Sequence, residues 1–121
     1  MSFNDLISLG RKYDESIVPF IELSSHSDIS VLELSDSESM GYTLKTMSAA
    51  LWAYFNETTF EEGIVQIINE GGDTDTNGAV AGTLLGVLYG YSSIPQRWID
   101  GLANKALLEE RLRYFAISNS F

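Results

Sequence analysis

The amino-acid sequence predicts an all-α protein, and three observations carry that reading. Apolar residues recur at helical spacing, Thr59-Phe60-Glu61-Glu62 has the form of a capping box, and glycine, serine or proline stands where periodic stretches begin or end. Residues 4–23 predict one or two short helices, with Pro19 marking a start or a kink. Residues 24–39, crowded with Ser and Asp, predict a loop or linker; Ile29, Val31, Leu32 and Leu34 alternate only in part, which leaves a brief strand open there. A helix follows over about 42–55, with Leu44, Met47, Leu51 and Tyr54 or Phe55 expected to face the core. The next helix starts at the capping box, turns Phe60, Ile64, Ile67 and Ile68 inward and stops at Gly71-Gly72. Over about 74–89 a helix places Gly78, Gly82, Gly86 and Gly90 on one face, which predicts close approach of a neighbouring helix. Ser92 or Ser93 caps the next turn, Pro95 suits a first helical position, and a short helix runs to Leu102. A last helix over 105–116 has Leu107, Leu108, Leu112 and Phe115 as its apolar side.

Composition bounds the function. A chain of 121 residues with 45% apolar content forms one compact domain with a real core. Within it, 1–39 reads as an N-terminal helical segment and linker and 40–121 as the helical core. A net charge of −10 excludes nucleic acid and anionic membrane surfaces as partners, since both need basic contacts. A bound anion would need a cation to screen this field. Without cysteine there are no disulfides and no thiolate metal sites. Met1-Ser2-Phe3-Asn4-Asp5 has neither the basic nor the apolar part of a signal peptide, and Ala79 to Tyr91 is too short to span a bilayer. A soluble, cytoplasmic protein is expected.

The most informative segment is Gly71-Gly72-Asp73-Thr74-Asp75-Thr76. Hard cations such as Mg²⁺ take oxygen ligands, and an Asp- and Thr-rich turn can aim several at one place. The glycine pair frees the backbone ahead of it, and the following helix adds N–H groups and a partial positive charge suited to an anion. Acidic residues at a helix start also serve as N-caps, so the segment alone supports either reading. Asn77 next to it reads as a donor behind the metal ligands or as an exposed helix residue. Arg97 either reaches a phosphate or lies on a solvated face, Trp52 and Trp98 read as core anchors, and His26, without a partner at catalytic spacing, receives no catalytic role.

Longer stretches settle on one family. Met40-Gly41-Tyr42-Thr43-Leu44-Lys45-Thr46, Ala49-Ala50-Leu51-Trp52-Ala53, Phe60-Glu61-Glu62 and Asn69-Glu70-Gly71-Gly72-Asp73-Thr74-Asp75-Thr76-Asn77 follow one another, then the glycine series and Ile94-Pro95-Gln96-Arg97-Trp98. Over residues 40–102 they resemble the C-terminal part of the ADP-ribosylglycohydrolase family, the fold of dinitrogenase-reductase-activating glycohydrolase and the ADP-ribosyl-acceptor hydrolases. The resemblance implies a compact orthogonal helical domain, two Mg²⁺ ions (Mn²⁺ in some members) beside ADP-ribose, and cleavage of the glycosidic bond between ADP-ribose and a modified side chain. It maps the family's D-x-D-[TS] triplet onto Asp73, Asp75 and Thr76 as metal ligands and places Gly41, Tyr42, Gly72 and Asn77 on the ligand side. Tyr42 serves equally as an aromatic closing the core edge. The family's other half-site, a T-D-D-T-like segment preceded by G-D-x-x-G, occurs nowhere in this chain. The resemblance therefore implies half a site, with no catalytic residue assigned and no hydrolysis by the chain alone. An ADP-ribose-type ligand or an ADP-ribosylated protein is the expected partner, with completion by a second copy or another chain. The alternative is a structural or regulatory protein that kept the fold without ligand or catalysis.

Overall fold

The computed structural model describes residues 1–119, which form seven α-helices joined by loops and short 3₁₀ turns, with no strand among the described residues. Ser2 starts α1 (Phe3–Tyr13) with a full capping box: its hydroxyl accepts the Asp5 N–H and the Asp5 carboxylate accepts its N–H. Helix α2 (Val18–Leu23) follows with Pro19 in its first turn. The segment left open as a strand is instead a 3₁₀ turn, Ile29–Leu32. The Asp28 carboxylate accepts the Ser30 N–H there, a local bond that competes with extended backbone, and Ile29 and Leu32, three apart, both reach the core.

Helices α3 (Thr43–Asn56), α4 (Phe60–Asn69) and α5 (Thr74–Tyr89) build the centre, with α3 against α5 the most extensive contact and α4 against α5 next. Short α6 (Gln96–Asp100) and α7 (Lys105–Ser118) complete the chain. Ala49, Ala50, Trp52 and Ala53 of α3, Ile64 and Ile67 of α4, and Ala81 and Leu85 of α5 form the core together with Leu32 and Leu34. Small residues at this crossing let α3 and α5 approach closely. Leu44, Met47, Leu51, Tyr54 and Phe55, expected to face the core, are displaced to the flanks and half-buried. Ile68 is likewise exposed, because α4 is covered only along its Phe60, Gly63, Ile64 and Ile67 side.

The four-glycine contact holds at two positions. Gly78 and Gly82 face Ile68 and Ile64 of α4, whereas Gly86 faces open space and Gly90 ends α5 at φ +81°. The tightest approach is made by a different glycine: a Cβ on Gly63 would lie 2.6 Å from Leu85 Cδ1. Helix α7 departs further from expectation. It buries no residue, and Leu107, Leu108, Leu112 and Phe115 stay exposed because no other helix packs extensively along it. The N-terminal segment folds onto the core through hydrogen bonds from α3, three of them to residues 20–26. Ser48 donates to the Phe20 carbonyl (2.7 Å), Trp52 Nε1 to that of His26 (2.8 Å) and Asn56 to that of Ser24 (3.0 Å). No helix among the described residues is long and apolar enough to cross a membrane.

Candidate cation and nucleotide site

Helix α4 ends where Gly71 and Gly72 take φ of +78° and +72°, the left-handed region that favours glycine. Gly72 is also wedged against the 33–36 loop, where a Cβ would fall 1.9 Å from the Leu34 carbonyl oxygen. That loop is fixed in turn. Glu33 is left-handed at φ 48°, and Lys45 of α3 donates to its carbonyl at 2.7 Å while pairing with Asp36 at 3.8 Å. The Asp36 carboxyl is held below its ordinary value, first by the Ser39 hydroxyl, then by the Glu38 N–H and the Lys45 charge. At its far end the loop returns through Gly41, φ +80°, whose Cβ position lies 3.4 Å from Asp73 Oδ2. Gly41, Gly72 and Asp73, predicted as one site from separate stretches, are thus brought together.

Asp73 is the N-cap residue of α5, yet its side chain makes no capping hydrogen bond. The Asp73 carboxylate therefore does not serve as the cap of α5. Asp75 and Thr76 are exposed in the first turn, with the Thr76 N–H donating to Asp75 Oδ1 at 3.0 Å. The Asp75 carboxyl is held below its ordinary value, first by sharing a hydrogen bond with the neighbouring Asp73 carboxyl, then by backbone N–H groups. A cation between these neighbouring carboxyl groups would relieve their mutual repulsion, and the positive end of α5 adds to the pull on any anion held by it.

Asn77 sits beneath this turn: it is buried, and its Oδ1 accepts from Thr46 Oγ1 at 2.8 Å, tying α5 to α3. Its side-chain oxygen is committed to the helix pair. Tyr42 is half exposed just ahead of α3, its ring edge-on to Phe20 at 5.5 Å. Arg97 lies on the surface, paired with Glu61 and close to the Trp98 ring, the solvated-face reading of that residue. Sequence reasoning missed Lys45 and Thr46 as the ties that position the site. The available signal was a lone lysine beside an acid-rich loop.

As a cation site the turn is partial. Two carboxylates and a hydroxyl suit Mg²⁺, which keeps several waters and uses one or two carboxylates. No group of three or more His, Cys, Asp or Glu among the described residues is placed to hold a metal. The donors fit the ion in kind, and their number fits half of a two-ion centre.

Comparison with known proteins points to one family. The sequence profile of the ADP-ribosylglycohydrolase family matches residues 5–119, well beyond the 40–102 stretch that carries the resemblance. An ADP-ribosylarginine hydrolase of Serratia proteamaculans is 40% identical over 86 residues, 69% of this chain and 24% of the relative. An ADP-ribosyl-[dinitrogen reductase] glycohydrolase of Rhodospirillum rubrum is 40% identical over 80 residues, 66% of this chain and 27% of the relative. A putative ADP-ribosyl glycohydrolase of Acanthamoeba polyphaga mimivirus is 30% identical over 120 residues, 92% of this chain and 36% of the relative. The chain thus spans between about a quarter and about a third of these relatives' length. No solved structure matches it.

Proposed function

Because the chain belongs to the ADP-ribosylglycohydrolase family, we propose that it supplies the Asp73–Thr76 half of a cation-dependent ADP-ribose site. On this reading it binds an ADP-ribose-type ligand and does not hydrolyse it alone. The observation that carries the reading is Asp73, an N-cap carboxylate with no capping bond, facing Gly41 and paired with Asp75. Asp73, Asp75 and Thr76 would hold Mg²⁺, with Mn²⁺ as substitute. Such an ion polarises ribose oxygens and lowers the pKa of a bound water. The chain's own residues bind and orient. Gly41 and Gly72 keep the backbone low beside Asp73, and the Lys45 tie holds the 33–41 loop against the turn. Among the described residues we assign no side chain as the acid or base that glycosidic cleavage requires. Completion by a further polypeptide segment accounts for both gaps, the second metal half and the proton-transfer group. An ADP-ribosylated side chain such as arginine, named for two bacterial relatives, is the substrate class of the completed site.

Titration calorimetry of ADP-ribose into the protein with Mg²⁺ tests this reading. Binding is expected with the ion and absent in EDTA or in Asp73→Ala. Absence of heat under every condition would overturn it and favour a protein-interaction role. Turnover of ADP-ribosylated arginine by the pure chain, lost in Asp75→Ala, would overturn the expected inactivity.

A further inference from the structure

We propose that the outer face of α7 is a self-association surface, on which a second copy of this chain docks antiparallel. Glu110 of each copy then lies against Arg111 of the other, and Leu107 against Tyr114. The proposal does not rest on the reading of the acidic turn.

Helix α7 has two distinct sides. Leu108 and Leu112, with Lys105 and Glu109 beside them, look toward the body and roof an apolar cavity of about 440 Å³ that Ile64 and Trp98 also line. On the other side Glu110, Arg111, Arg113, Tyr114 and Ile117 share one surface, with Tyr114 72% and Ile117 73% exposed. Leu107, 51% exposed, joins them, because the steps from 107 to 110, 114 and 117 are those of a single helix face. Among the described residues Glu110, Arg111 and Arg113 enter no ion pair. Tyrosine, arginine and large aliphatic side chains together on an open face have the composition of an interface.

Charge names the occupant. The chain has a net charge of −10, yet α7 sets three basic residues (Lys105, Arg111 and Arg113) against two acidic ones (Glu109 and Glu110). Contact between two copies of α7 is therefore not contact between acidic surfaces. The order of the charges matters as much as their number. With a two-fold axis between residues 110 and 111, an antiparallel pair places each glutamate opposite an arginine. A parallel pair would set Glu110 against Glu110 and Arg111 against Arg111. The face is thus complementary to its own reversed copy, as a closed two-fold contact demands. The acidic bodies stand on the outer sides of the helix pair, about 20 Å apart, well beyond the screening length of about 8 Å in physiological salt. A helix of 14 residues is about 21 Å long, so the contact is smaller than a standard interface and a Kd in the micromolar range is expected.

Sedimentation velocity and native mass spectrometry of the chain in about 0.15 M salt, from micromolar to millimolar concentration, test this. A monomer–dimer equilibrium is expected. Glu110→Arg and Arg111→Glu should each weaken it about tenfold or more, because each sets like charges against one another across the axis. Mixed in equal amounts, the two variants should form a heterodimer at least as tight as the wild-type dimer, since one then offers only positive and the other only negative charge at positions 110 and 111. That rescue distinguishes a lost contact from a lost fold, and because both residues are exposed each variant alone should keep the wild-type circular dichroism. A monomer at every concentration, a dimer unaffected by either reversal, or a mixture that associates no more tightly than its components would each overturn the proposal.

Discussion

At Gly72 two constraints meet in one residue. Its φ of +72° costs an L-residue about 1–2 kcal/mol, and a Cβ would strike the Leu34 carbonyl, a backbone atom that no rotamer change can move. Gly71 shares the dihedral but meets only Ser35 Cβ, at an ordinary 3.6 Å. Gly71→Ala should therefore lower stability by about 1–2 kcal/mol and Gly72→Ala by clearly more, read as urea midpoints. Only Gly72→Ala should also loosen the loop, seen as faster amide exchange at residues 33–41. The glycine pair and the alternating Asp and Thr residues were legible because they are adjacent in sequence. The Lys45 and Thr46 ties were not, since a bond from Thr46 to Asn77, 31 positions away, leaves no local trace.

Among the helices, existence was readable and facing only in α4, where Phe60, Ile64 and Ile67 are buried as expected. Caps and periodicity are local, so α4 begins at Thr59, whose hydroxyl accepts the Glu62 N–H, and ends at the glycine pair as expected. Which side of α3 is buried depends on where α5 crosses it, and a row of alanines proved to be the contact. The glycine series of α5 shows the same limit. Spacing reports a shared face, but not whether another helix lies on it. Gly63→Ala would push Leu85 aside within the core and should destabilise by about 1–3 kcal/mol. Gly86→Ala meets nothing within 4 Å and should stabilise the isolated chain, by up to about 1 kcal/mol. Thermal melts of the two variants should shift in opposite directions.

For the molecule as a whole, acid is the informative stress. Asp5, Asp14, Asp28, Asp36, Asp75 and Asp100 are held below the ordinary 3.8, through hydrogen bonds from Ser2, Ser16, Ser30 and Ser39, the Asp75–Asp73 contact, and Lys105 at Asp100. A carboxyl depressed on folding stabilises above its unfolded value and loses that contribution as pH falls through its folded value. Glu57 has the opposite sign. Burial first and the Glu62 charge second raise it above 4.5, so its contribution is present below 4.5 and lost as pH rises through the folded value. At high salt, where self-repulsion is screened, the urea midpoint should fall as pH drops below 3.8 and show a second, smaller decline above 4.5 that Glu57→Gln abolishes. Each exposed carboxylate adds little by itself, and the acid limb is their sum.

The burial of Asn77 also bears on how the protein ages. Asn77 precedes Gly78, a pairing in which the glycine nitrogen readily attacks the asparagine amide, expels ammonia and closes a succinimide that reopens to aspartate or isoaspartate. The helical backbone of α5 and the bond to Thr46 hold the reacting atoms out of line. Chemical damage at residue 77 therefore accumulates only while α5 is open, and the isoaspartate found there records the time each molecule has spent unfolded.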